Sequence, residues 1–161
     1  GIYPISQNNG PYSKTLSNIN MNKEEAINII NDNAESENNS YMDFMHERGL
    51  FDKHSFWKFY NSIRLLGYEF RNDESLPREL TKKILKSYEW HLILISFHFD
   101  ENYGSSIDNL PKDFSQYSLR LRSAVNAFIE GNPISDKSEG FLNDYLDNKL
   151  KNDCPTIPEL Y

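Results

Sequence analysis

Apolar side chains recur along this chain at steps of three and four residues rather than in alternation, and that period predicts helices. Asn22 stands where an N-cap belongs, with Glu25 three residues later, and Ala26, Ile27, Ile29, Ile30 and Ala34 then share one face. A short second helix is expected from Ser40 to Arg48, closed by Gly49 in the left-handed position that follows a helix end. A third starts after Asp52, carries Phe56, Phe59, Tyr60, Ile63 and Leu66 on its apolar arc, and ends at Gly67.

From Pro77 onward Leu80, Ile84, Tyr88, Leu92, Ile95 and Phe99 keep the helical step, although Trp90 to Phe99 alone also fits a buried strand. No turn residue interrupts Thr81 to Phe99 and no other run offers a partner strand. An unpaired strand in a core would leave backbone groups unsatisfied, so one long helix is expected. Its C-terminal half is apolar nearly all round, which makes it the expected central element. After a loop over 100–113, a fifth helix buries Tyr117, Leu121, Ala124, Val125, Phe128 and Ile129 and stops before Gly131-Asn132-Pro133. A sixth, capped at Asp136 with Glu139 as reciprocal partner, buries Phe141, Leu142, Tyr145, Leu146 and Leu150. The expected fold is all-α, an irregular bundle of about six helices around a long buried central one. Residues 1–20 read as a loosely structured arm, 21–153 as a single helical domain and 154–161 as an extended tail.

Length and composition narrow the functional classes. At 161 residues with 14% aromatics the chain can bury a sizeable core, and its single cysteine excludes an internal disulfide or a Cys-rich zinc module. The run Trp90 to Phe99 is half the length that spans a bilayer, no basic-then-apolar leader is visible, and Ile5 stands where a myristoylation signal needs Ser or Thr. The chain reads as cytoplasmic, with no membrane partner. A net charge of −7 argues against a general nucleic-acid binder and permits attraction to something cationic.

Candidate chemistry is sparse. His46-Glu47 is followed by Arg48-Gly49, so no His-Glu-x-x-His zinc motif exists, and His91 and His98 lie two helical turns apart, too far to share a metal unaided. Both are expected at the edge of the core with hydrogen-bonded nitrogens. Arg48 and His54 have the spacing of the Arg-x(4–6)-His pattern of helical HEPN ribonucleases, but the expected break between Gly49 and Asp52 separates them. No Gly-x-Ser-x-Gly turn and no phosphate-cradling glycine loop occur, so no cofactor is expected. Lys82, Lys83 and Lys86 either contact phosphate or form the solvated side of an amphipathic helix.

Charge is unevenly distributed. Residues 1–52 carry eight acids and three bases, 131–161 six and three, and 53–130 ten and eleven. The excess negative charge therefore sits in the two ends. Glu25 and Asp32 lie opposite the Ile stripe of the first helix, Asp43 and Glu47 form an i,i+4 like-charge pair, and Asp144 and Asp147 lie opposite Phe141 and Tyr145. Either these acids meet a cationic partner or they keep the protein soluble. Trp57 and Arg64 stand off the apolar arc of the third helix, as binding anchors do and as residues of a helix packed on two sides also do.

The segment Phe56-Trp57-Lys58-Phe59-Tyr60-Asn61-Ser62-Ile63-Arg64-Leu65-Leu66, the run Tyr88-Glu89-Trp90-His91 and the acidic balance resemble bacterial immunity proteins of contact-dependent growth inhibition systems (CdiI), over roughly residues 40–130. The resemblance implies a non-catalytic protein that binds and neutralises a cognate CdiA C-terminal toxin domain, commonly a basic nuclease. On that reading Glu25, Asp32, Asp43, Glu47, Asp144 and Asp147 are the charged contacts, with Trp57 and Tyr145 as aromatic anchors. The alternatives are a HEPN-like ribonuclease using Arg48 and His54, or a nucleic-acid-binding accessory protein using the lysine cluster.

Overall fold

The computed structural model describes residues 21–142 and 157–158. Within them the chain forms α1 (Lys23–Glu35), a π-helical turn (Asp43–Glu47), α2 (Lys53–Glu69), α3 (Arg78–Phe99), α4 (Phe114–Glu130) and α5 (Asp136–Leu142). No strand occurs among the described residues, only an isolated parallel bridge between Leu50 and Asp108, so the fold is the expected all-α bundle. The N-terminal arm, the sixth helix beyond Leu142 and most of the tail lie outside the described residues.

Three helix starts, those of α1, α2 and α5, follow the side chains that cap them. Asn22 Oδ1 accepts the Glu25 N–H at 2.9 Å and Asp52 Oδ2 accepts the Ser55 N–H at 2.7 Å, each satisfying a donor that has no partner inside its helix. At α5 the cap is Ser135 rather than Asp136: Ser135 Oγ accepts the Ser138 N–H at 3.1 Å. Glu139 is therefore free to turn inward. It is buried between Arg120, with which it forms a close ion pair, and Tyr60, whose hydroxyl donates to Glu139 Oε2 at 2.6 Å. This cluster ties α5 to α2 and α4, and burial beside the Glu139 charge pushes the Tyr60 hydroxyl well above its ordinary range. The tail touches the same place, since Ile157 is buried and exchanges two backbone-directed hydrogen bonds with Asp136.

The central helix is α2, not the longer α3. Twelve of the seventeen α2 residues are buried, among them Phe56, Trp57, Phe59, Tyr60, Ile63 and Leu66, and α1 and α4 pack on either side of it. Edge-on aromatic contacts knit its start to the rest: Phe56 meets Tyr41 at 5.3 Å and Tyr117 at 5.1 Å between ring centres. Gly67, expected to end this helix, lies inside it. A Cβ there would stand 3.3 Å from the Phe128 Cα, so the missing side chain lets the backbone of α4 approach α2 closely.

α3 lies outside α2, against α1 and α4. Its buried residues are Leu80, Ile84, Ser87, His91 and Ile95, whereas Leu92 and Phe99 of the expected core stripe are exposed. The inner face turns toward groups that satisfy its polar members. Phe114 O can only accept, so the Ser118 hydroxyl donates to it at 3.3 Å and accepts from His91 Nε2–H at 2.8 Å. His91 Nδ1 then accepts the Tyr41 hydroxyl at 2.8 Å. His98 Nδ1 accepts the Ile107 N–H at 2.8 Å. Both histidines are thus hydrogen-bonded as expected, His98 through Nδ1 and His91 through both nitrogens, although His91 lies wholly inside the core rather than at its edge. In α4 the remaining correction is Ile129, which points outward.

Candidate functional site

Five acids of the N-terminal end, Asp32, Glu35, Glu37, Asp43 and Glu47, lie on or beside the turn that links α1 to the π-helical turn, while Glu24 and Glu25 stand on the first turn of α1. α1 ends in paired reverse hydrogen bonds, Ser36 N–H to Asn33 O at 3.2 Å and Glu37 N–H to Asp32 O at 3.0 Å, with Ser36 in the left-handed region at φ 55°. Asn38 and Asn39 follow at φ 56° and 55°, so three non-glycine residues within four positions carry positive φ. Side chains hold them there. Asp32 Oδ1 accepts the Asn38 amide at 2.9 Å, and Asp43 Oδ2 accepts the Asn39 N–H at 2.9 Å.

The expected contact residues that the structure describes take different places. Glu25 is on the first turn of α1, partly exposed. Asp32 and Asp43 support the turn from opposite sides. Asp43 is mostly covered, because Arg48 Nη2 donates to it at 2.8 Å and to Asn39 Oδ1 at 2.7 Å while its guanidinium lies over the Phe44 ring. Asp43 and Glu47 consequently do not stand as a bare like-charge pair: Asp43 has Arg48, and Glu47 Oε1 is hydrogen-bonded to His46 Nδ1 at 2.6 Å. Asp144, Tyr145 and Asp147 lie outside the described residues. Trp57 is corrected outright. Its indole is 1% exposed within the aromatic core, so it presents nothing to a partner, and Arg64 beside it is buried as well.

The aromatic group that does border the acidic surface is Trp90. It is half-buried on α3, its ring 5.0 Å from that of His46, and with Glu35, Ser36 and Glu47 it lines a hollow of about 250 Å³. A second, larger cleft of about 510 Å³ opens on the other side of the turn, between Asp32, Asn39, Phe44, His54 and Lys58, with the Tyr41 side of the core as its floor. Of the lysine cluster, Lys83 donates to Asn31 Oδ1 at 2.8 Å and Lys86 to Ala34 O at 2.5 Å, so two of its three members brace the C-terminal end of α1.

No family model, curated protein or solved structure matches the chain. Among the described residues no three His, Cys, Asp or Glu side chains are placed to hold a metal, and no helix is long and apolar enough to cross a membrane. The geometry offers instead an acid-bearing turn held by side-chain hydrogen bonds, with a half-buried indole on one side and a cleft on the other.

Proposed function

We propose that this chain is a non-catalytic immunity protein that binds and neutralises the C-terminal toxin domain of a contact-dependent growth inhibition system in the cytoplasm, that domain being a basic nuclease. One observation carries the reading: from Asp32 to Glu47 there are five acids and no Lys or Arg, and the end of α1, the turn that follows and the π-helical turn bring this run together beside the start of α2. A nuclease that grips phosphate must display Lys and Arg around its active site, and a fixed array of carboxylates meets that surface with the charge of its substrate. Such complementarity speeds encounter, and a desolvated aromatic anchor slows release. Asp32 and Glu47 are the contacts this reading keeps at the turn, Glu25 stands apart from them at the start of α1, Asp43 fixes the turn through Arg48, and Trp90 takes the anchoring role in place of Trp57. Asp144, Tyr145 and Asp147 remain contacts on the C-terminal side.

Co-expression with the toxin domain encoded immediately upstream tests the reading, because the wild-type chain protects the cell and failure to protect refutes it. Glu37→Lys combined with Glu47→Lys leaves the Asp43–Arg48 pair intact. It is expected to slow association about tenfold at low salt and to flatten its salt dependence. Unchanged association would remove this surface from the interface.

A second reading has one observation in its favour. His54 lines the 510 Å³ cleft whose opposite side is formed by Asn39 and Phe44, the two residues on which Arg48 rests. Arg48 and His54 would then be the pair of a helical ribonuclease. RNA cleavage by the purified chain that disappears in His54→Ala would establish it and displace the inhibitor reading.

A further inference from the structure

Along the outer side of α3, Lys82, Leu85, Glu89, Leu92, Ser96 and Phe99 follow one another at steps of three and four residues and form a single exposed stripe. Leu92 is 43% and Phe99 60% exposed, and Ile93 and Leu85 flank them on the same side. Isolated surface leucines need no explanation, but three large apolar groups seven residues apart on one helix are a continuous seam, the pattern by which helices pair. The two ends of this seam differ in charge. Arg78 and Lys82 are exposed at the N-terminal end and Glu101 is exposed just past the C-terminal end.

We infer that this face is the site of self-association, in which two copies of the chain pair through antiparallel α3 helices about a two-fold axis beside Leu92. That arrangement is self-complementary, as a two-fold contact must be. Leu92 meets its own counterpart, Leu85 meets Phe99 of the second copy, and Lys82 comes beside Glu101 of the second copy, twice per dimer. A parallel pairing would instead set Lys82 against Lys82. The seam from Leu85 to Phe99 is about 21 Å long at 1.5 Å per residue, which places the contact at the small end of specific interfaces, among the weak and transient ones. It lies on a different face of α3 from His91 and is independent of the proposed toxin-binding surface.

Sedimentation equilibrium of the full chain at low salt, from about 1 to 500 µM, tests the inference across the affinity range expected of a small interface. A monomer–dimer equilibrium is expected. Leu92→Lys should leave the helical circular dichroism unchanged and the protein monomeric. Lys82→Glu and Glu101→Lys should each weaken the dimer about three- to tenfold, and the double variant should restore it, since the exchanged pair has the same geometry. A chain that stays monomeric throughout, or a dimer indifferent to Leu92→Lys, overturns the inference. Failure of the charge exchange to restore affinity overturns the antiparallel register.

Discussion

Acidification should unlock the centre of the bundle through one residue, His91. The imidazole is wholly buried, and burial lowers its pKa from the usual 6.5 to about 4. The unfolded chain therefore binds this proton more readily than the folded one. Between pH 6.5 and pH 4 the unfolded state carries more protons, and stability falls as the pH falls through that window. The difference of about 2.5 units corresponds to about 3 kcal/mol, complete near pH 4 and absent above pH 6.5. The hydrogen bonds explain why the charged form is rejected: a proton on Nδ1 would face the Tyr41 hydroxyl, which now donates to it, and the burial that raises the Tyr41 pKa leaves no water to take over. His91→Gln provides the control. It cannot titrate, and it costs about 1–3 kcal/mol at neutral pH by leaving the Tyr41 hydroxyl without its acceptor. Urea unfolding of both proteins at several pH values isolates the histidine, because the carboxylates titrate equally in the two. The gap between them should close on acidification and reverse below about pH 5. Parallel stability curves would refute the assignment.

Two further substitutions probe the backbone. Gly67→Ala should destabilise the protein by about 1 kcal/mol in chemical denaturation, despite the better helix propensity of alanine, because the new Cβ meets the Phe128 backbone rather than a movable side chain. A gain in stability would show that α2 and α4 can part without cost. Ser36→Gly should raise stability by about 1 kcal/mol, since Ser36 holds a left-handed φ of 55° at the end of α1 that glycine adopts freely. Lower stability in the same assay would mean that the Ser36 side chain contributes more than its backbone costs.

Elements with strong local signals were legible from the residues alone. Asn22, Asp52 and Gly49 act where a reader of the chain would place them, because capping is decided by one side chain or one φ angle within a few residues. Gly67 misleads for the opposite reason. A glycine at a helix end and a glycine at a helix crossing look identical in sequence, and only the neighbouring α4 distinguishes them. The site was half legible. The acids were visible, but their partnership was not, because an α-helical reading pairs Asp43 with Glu47. In the π-helical turn the helix widens and Asp43 instead meets Arg48, five residues on.

The orientation of α3 carries the most general point. Its apolar residues outnumber what one face can hold, so hydrophobicity leaves two candidate faces and cannot choose between them. The choice falls to the polar residues. Tyr41, His91, Ser118 and the Phe114 carbonyl form a hydrogen-bonded chain that uses both His91 nitrogens and joins three separate elements. A buried chain of this kind is tolerated only when complete, so satisfying it fixes the rotation of α3 more strictly than burying one more leucine would. Trp90 is thereby carried to the edge of the acidic surface, and Leu92 and Phe99 are left facing outward. The half-buried indole and the exposed seam are thus two results of one packing decision. A change that breaks the chain at His91 should disturb both surfaces together, while a change at Leu92 should disturb only the second.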